Sequence, residues 1–399
     1  MKILLISSIY PIPNIPVLGG TSVCHYFAKE WIKQGHEVMV INTYTVYHPL
    51  LHMLSKKLEK VLVSRYAASI NSTRFKSIYN YEIDGVKVAL IPTYKILPRL
   101  SFPNSSIQRT ANKILSVTKD VNFIPDIVTT HFLHPNLELI PILKKFWDVK
   151  MGLTLHGKIT RKQEQKMSKR FPEIDFWGFR SYAIMKSFMK YYSESSNNNF
   201  LCFSGIPISY INSESFKKHQ TIGIDNYLYV GNLSKRKYPV KVLEALAATK
   251  NNFKLDYVGV GDEQRRIESL VSTLHLTQNV TLHGRVNRDT VAEMMEKSEC
   301  FIMISKAETF GLVYLEAMAK GCIVVASKDE GMDGIIIDGL NGFLCEAGNS
   351  KELELIIKNI NNLTSTEKIR ISKNAIETAK KMTDHLMSSK YLEFLSLQK

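Results

Sequence analysis

The sequence predicts an α/β protein of two doubly wound halves. Three observations carry that expectation. Short continuous apolar runs of strand length alternate with amphipathic segments of helix length. The alternation starts afresh near residue 227. At 399 residues the chain is long for a single hydrophobic core.

In the first half, Lys2–Ser7 (KILLIS) is a continuous apolar run of the kind that a buried parallel strand needs. A loop with Gly19 and Gly20 follows. Thr21 then caps a helix over 22–34, Gly35 stops it, and 36–42 (HEVMVIN) forms the next strand. Strand, glycine loop, helix, strand is the opening of a Rossmann-like sheet. Further strands are predicted at 86–91, 127–130 and 152–155, a hairpin turn over 82–86, and a helix over 100–120 with Ile107, Ala111, Ile114 and Leu115 on one face.

The second half begins with strand 227–230, followed by strands at 255–258 and 280–282 and helices over 239–249, 263–274 and 288–297. Next come strand 300–304, helix 311–320 ended by Gly321, strand 322–326 and helix 350–361. Ser204-Gly205-Ile206-Pro207 and the polar run 212–222 mark the join. The expected domains are 1–205 and 206–379, with a C-terminal helix 380–399 returning to the first. Two such domains facing each other would place a central cleft at the carboxyl ends of both sheets.

Composition narrows the function classes. Five scattered cysteines without a C-x-x-C, and no His partner at ligand spacing, argue against a disulfide framework or a structural metal. The opening MKILLISSIYPIP lacks the long apolar core of a signal peptide, so a cytoplasmic protein is expected. The net charge of +15 is lopsided: residues 1–205 hold 27 Lys+Arg against 13 Asp+Glu, or +14. Such a field favours an anionic partner for the first half, such as lipid headgroups or a phosphorylated substrate. No basic stripe interleaved with aromatics supports nucleic acid. Segment 50–66 (LLHMLSKKLEKVLVSRY) is amphipathic and basic, suited either to an anionic membrane surface or to packing on its own domain.

The chemistry concentrates in ETFGLVYLE, residues 308–316. The loop and helix start that follow strand 300–304 sit at the carboxyl edge of the second sheet. Backbone N–H groups at Phe310, Gly311, Leu312 and Val313 make an anion site there, and Gly311 allows close approach. Glu308 and Glu316 flank that site, and each carboxylate can accept from two adjacent hydroxyls, as a sugar or a ribose offers.

ETFGLVYLEAMAKGCIVVAS resembles the E-x7-E region of retaining glycosyltransferases of family 4, which have the GT-B fold. YVGNLSKRKYPVKV at 229–242, DYVGVGD at 256–262, VTLHGRV at 280–286 and IDGLNGFL at 337–344 resemble its other donor-domain motifs. MKILLIS with Gly19-Gly20, and LTLHG at 153–157, match in kind. The resemblance spans most of the chain and is densest over 225–350. It implies that Glu308 binds donor-sugar hydroxyls and that Glu316 takes the ribose. The backbone at Phe310, Gly311, Leu312 and Val313 would contact sugar and diphosphate, and Lys237 would pair with the diphosphate. Gly231, Asn232 and Gly259 would be donor-binding, and Arg285, also donor-binding, would lie near the base or hinge. His156 would stand near the reacting centre, with Gly19 and Gly20 in the acceptor and diphosphate loop. Three of these, His156, Glu308 and Lys237, would be catalytic.

Two departures stand out. Asn232 replaces the family's arginine, for which Lys235 or Arg236 could substitute. Gly334 stands where an acid is usual, with Asp333 displaced by one.

The implied reaction moves a hexose-type sugar from a UDP- or GDP-sugar to a glycan or lipid-linked acceptor with retention, in cell-surface polysaccharide assembly. With no D-x-D motif, no metal or other cofactor is expected. Peripheral contact with an anionic membrane would run through the basic half. The competing readings are a nucleotide-sugar epimerase or a sugar-phosphate-accepting synthase of the same fold, and a basic nucleic-acid-binding protein.

Overall fold

A computed structural model describes residues 1–14, 22–47, 77–98, 100–192, 198–220 and 223–399. They form two compact units. One comprises Met1–Phe179, Phe188–Cys202 and Ser388–Lys399, and the other Arg180–Ser187 and Phe203–Met387.

The first unit is built on strands β1 (Lys2–Ser7), β2 (Glu37–Tyr47), β3 (Tyr79–Ile83), β4 (Val86–Lys95), β5 (Ile127–His131), β6 (Met151–Leu155), β7 (Phe176–Phe179) and β8 (Asn199–Leu201). Their order is β3-β4-β2-β1-β5-β6-β7-β8. All pairs are parallel except β3–β4. That one pair is a hairpin, closed by Asp84 and Gly85 with φ of 52° and 78°, as a two-residue turn with both centres left-handed requires. The central register sets Leu4 beside Met39 and Val128, so the apolar runs stack on both faces. Helix Val23–Lys33 closes one face with Val23, Phe27 and Trp31, and helix Asp384–Gln398 adds Tyr391, Leu392 and Leu395.

The second unit holds β9 (Asn226–Val230), β10 (Lys254–Val258), β11 (Val280–Leu282), β12 (Cys300–Ile302), β13 (Ile323–Ser327) and β14 (Phe343–Cys345). Among the described residues its sheet is all parallel in the order β11-β10-β9-β12-β13-β14, which reverses direction between β9 and β12. At such a switch point the loops leaving two neighbouring strands diverge and open a crevice. Asn287, Asn349 and Thr364 cap the helices that follow them, each accepting from a first-turn N–H.

Composition made 212–222 a linker; its described residues are instead packed into the second unit. Lys218 Nζ donates to the carbonyls of Met295 and Lys320 at 2.9 and 2.8 Å, closing two helix ends. His219 is fully buried and its Nε2–H donates to Gly321 O at 2.8 Å. Lys218 and His219 thus satisfy buried carbonyls, while Ser213, Glu214, Lys217 and Gln220 face water.

Candidate active site

The loops leaving β9 and β12 bring the first pair of site residues together. After β9, Gly231 starts a turn that reaches a short 3-10 segment, Lys235–Lys237. Lys237 folds back over Gly231, where even a Cβ would lie 3.4 Å from its Nζ. After β12, Ser305 and Glu308 form the facing loop, and Lys306 N–H donates to Arg236 O at 2.7 Å, tying the two loops by backbone. Lys237 Nζ meets Glu308 Oε2 at 3.2 Å, with both side chains largely shielded. Ser305 Oγ also donates to Glu308 Oε2, at 3.3 Å.

The approach of these loops demands glycine at defined points. Gly259 has a φ of 133°, and a Cβ there would lie 2.0 Å from Gly231 O. Gly311 precedes helix Leu312–Ala319 with a φ of 89°, and its Cβ would meet the Tyr314 ring at 2.5 Å. Tyr314 is fully buried and its hydroxyl donates to Met303 O at 2.6 Å, so the turn is braced from below. As the first residues of a helix, Leu312 and Val313 have no intrahelical acceptor for their N–H groups. The Phe310 ring is buried, with the Arg180 guanidinium 5.5 Å above it.

Glu316 is an acid in a helix that is otherwise apolar, LVYLEAMA. It lines a cavity of about 280 Å³ together with Gly231, Lys237, Val313, Tyr210, Arg288, Val230 and Val291. Arg288 Nη2 donates to Glu316 Oε1 at 2.6 Å, and its guanidinium lies 5.6 Å over the Tyr210 ring. Burial pushes the Glu316 carboxyl above the ordinary carboxylate range, against the opposing pull of Arg288. Sequence reasoning missed Tyr210 and Arg288. One signal was available: Arg288 is the first residue of its helix, where the dipole disfavours a cation unless another acid holds it. Arg285 is exposed, and the arginine that lines the cavity beside Lys237 is Arg288, three residues on. Asn232 is exposed as well.

A further acid also escaped the sequence reading. Glu330 Oε2 accepts from Glu308 N–H at 2.9 Å. Its neighbour Gly331 packs so closely on Phe310 that a Cβ would lie 2.4 Å from Phe310 O. Asp333 closes its own turn by accepting from Asp329 N–H at 2.5 Å, and Gly334, at φ 92°, packs on Tyr182.

In the first unit, His156 follows β6, and its Nε2 lies 2.9 Å from Nδ1 of His131 at the end of β5. Cys24 brings its sulfur to the same place: ligand atoms of Cys24, His131 and His156 all lie within 4.8 Å of one another. Spacing along the chain did not reveal that group, because three separate elements converge to make it. Gly19, Gly20 and segment 50–66 lie outside the described residues.

Solved structures share this architecture. Anabaena HepE in complex with UDP-glucose superposes with a TM-score of 0.66 at 17% identity, covering all of both chains. The fold is therefore GT-B, the architecture of that class of glycosyltransferases. The family model of glycosyl transferases group 1 matches residues 213–382 of the chain. A relative described as an uncharacterized glycosyltransferase of Methanocaldococcus jannaschii is 25% identical over 355 residues, 87% of this chain and 95% of that protein. The putative teichuronic acid biosynthesis glycosyltransferase TuaC of Bacillus subtilis is 23% identical over 347 residues, 84% of this chain and 83% of that one. Among the described residues, no helix is long and apolar enough to cross a membrane.

Proposed function

We propose that this glycosyltransferase moves a hexose-type sugar from a UDP- or GDP-sugar to a glycan or lipid-linked acceptor, with retention and without a metal, in cell-surface polysaccharide assembly. The observation that carries the donor assignment is the cavity at the β9–β12 switch point. It places Lys237 and Glu316 on one small space, with Glu308 paired to Lys237. The likeness to a UDP-glucose complex and to TuaC supports the donor type and the setting.

In this reading the helix N–H groups at Leu312 and Val313 and the Lys237 ammonium take the diphosphate, and their positive charge grows in value as the leaving group develops its own. Charge supplied in that way meets the need that a divalent cation otherwise serves. Glu316 accepts from the two ribose hydroxyls, and Glu308 from hydroxyls of the sugar. The acceptor attacks the anomeric carbon on the face the phosphate leaves, and the departing phosphate oxygen takes the acceptor proton. Lys237→Ala removes diphosphate binding and also strands Glu308. His156 supplies the first unit's hydrogen bond to substrate. The basic surface of residues 1–205 holds an anionic membrane that presents a lipid-linked acceptor.

A thermal-shift screen against UDP-, GDP- and ADP-glucose tests the donor site. One of the first two should raise the melting temperature of the wild type and leave Lys237→Ala and Glu316→Gln unmoved. No response to any nucleotide sugar would end the proposal. Turnover with the identified donor should survive EDTA and yield a product of unchanged anomeric configuration by NMR. An inverted product, or a free disaccharide or epimerised nucleotide sugar, would replace this reading. Co-sedimentation with phosphatidylglycerol vesicles, reversed by salt, tests the membrane contact, and protein left in the supernatant at low salt refutes it.

A further inference from the structure

The first unit contains a buried polar relay that the donor cavity does not account for. His131 is fully buried at the end of β5. Its Nδ1 bonds His156 Nε2, and its Nε2 lies 3.3 Å from the hydroxyl of Tyr391. Tyr391, from the C-terminal helix, also meets the Thr129 hydroxyl and, at 3.4 Å, that of Thr154. The chain Thr129–Tyr391–His131–His156 thus ends on the half-buried imidazole.

The backbone beside it is strained to the same end. Phe132 has a φ of 72°, a left-handed conformation that is unfavourable for a bulky residue. Its N–H donates to Thr154 O at 3.1 Å, and Asn136 Nδ2 donates to the carbonyls of His131 and Phe132 at 2.6 and 2.9 Å. The strain lays the Phe132 ring against His156, with centroids 3.8 Å apart and planes 25° from parallel. His156 is therefore held on its face by Phe132 and on its edge by His131.

Two functions compete for this cluster, since Cys24 with the two histidines makes a donor set that zinc accepts. Two imidazole nitrogens bound to one tetrahedral zinc would sit about 3.3 Å apart, from bonds of about 2.0–2.1 Å. The 2.9 Å found here is the length of a direct hydrogen bond. A neutral imidazole carries one N–H, so a bond between two of them decides which nitrogen of His156 holds its proton.

We propose that His131, braced by Tyr391, is a positioning residue that fixes the ring orientation and tautomer of His156. The proposal rests on the reading that His156 acts on substrate. Asparagine places its amide near where Nδ1 of a histidine lies, so His131→Asn retains the bond to His156 while His131→Ala removes it.

The test uses the full chain with ¹⁵N-labelled histidine, and release of the nucleoside diphosphate (UDP or GDP) as water hydrolyses whichever of UDP- and GDP-glucose stabilises it. Ring ¹⁵N shifts should show a single His156 tautomer in the wild type and in His131→Asn, and a mixture in His131→Ala. The alanine variant should lose roughly ten- to a hundred-fold in kcat with KM for the donor nearly unchanged. The asparagine variant should recover most of that loss, which a role in packing alone would not produce. Equal damage from alanine and asparagine, or an averaged His156 ring in the wild type, would overturn the proposal. So would one bound zinc that Cys24→Ala releases. If the wild type turns over no nucleotide sugar, the transfer reading fails, and the ring shifts still decide whether the relay exists.

Discussion

Glu316 and Arg288 show how a residue acquires a role from its surroundings. A carboxylate inside an apolar helix is costly unless a cation and hydrogen bonds compensate it, and Arg288 at 2.6 Å does so. Because burial still raises the Glu316 pKa, its protonated form gains weight at a higher pH than for an exposed glutamate. The carboxylate accepts from both ribose hydroxyls more strongly than the neutral acid, so affinity for the donor should be full near neutrality and fall on acidification before ordinary carboxyls titrate. A KM for the donor that stays flat from pH 7 down to the ordinary glutamate range would refute that assignment. Arg288→Gln should move the fall to still higher pH, since it removes the group that opposes the shift. The Lys237–Glu308 pair was half legible: the spacing of Lys237 from Gly231 marked the lysine, and the E-x7-E pattern marked the acid. Their contact was not, because the two lie on different strands' loops and meet only once β9 pairs with β12.

At the scale of elements, the buried parallel strands were readable because a strand covered on both faces is a continuous apolar run. Lys2–Ser7 and Val280–Leu282, and helices Pro239–Thr249 and Arg288–Lys297, lie where periodicity placed them. Strands β7, β8 and β14, of four, three and three residues, were missed because so short a run shows no period; β8 and β14 are sheet edges. The helices over Ser365–Lys380 and Tyr182–Met189 were missed too, since mixed polar faces and flanking basic segments blurred their stripes. The turn into helix Leu312–Ala319 depends on Gly311. Gly311→Ala should cost about 1–3 kcal/mol of stability, from the left-handed backbone and the clash with Tyr314. It should also weaken donor binding more than that loss explains, because Leu312 and Val313 would be re-aimed. Unfolding measured in urea beside donor titration separates the two effects, and an unchanged melting temperature would show that the turn does not need glycine.

On the scale of the whole molecule, stability carries an acid-sensitive component in the second unit. His219 is buried with its Nδ1 unpartnered among the described residues, and desolvation lowers its pKa from 6.5 to about 4. The unfolded chain takes up a proton below pH 6.5, while the folded chain resists until about pH 4. The contribution of His219 to stability is therefore level above 6.5, declines by about 3 kcal/mol as the pH falls to 4, and levels again. His219→Gln cannot take that proton, so its unfolding free energy should fall less over this interval than that of the wild type. Parallel slopes in urea unfolding at pH 7 and 4.5 would remove His219 as the cause. The charge excess of residues 1–205 is also a property of this scale, since it arises from the sum of many surface groups rather than from any one site.

By itself the sequence determined the two doubly wound units, the glycine-bearing loops at the carboxyl ends of strands in the second, and the ETFGLVYLE segment that carries Glu308 and Glu316. Those features follow from local rules: apolar runs for buried strands, left-handed turns for glycine, and carboxylates at fixed offsets from a helix start. Only the tertiary structure decided the partners. Lys237 with Glu308, Arg288 with Glu316, Glu330 with the Glu308 backbone, and Tyr391 with His131 and His156 join residues far apart in the chain. Such contacts depend on strand order and register, and local pattern does not encode either one.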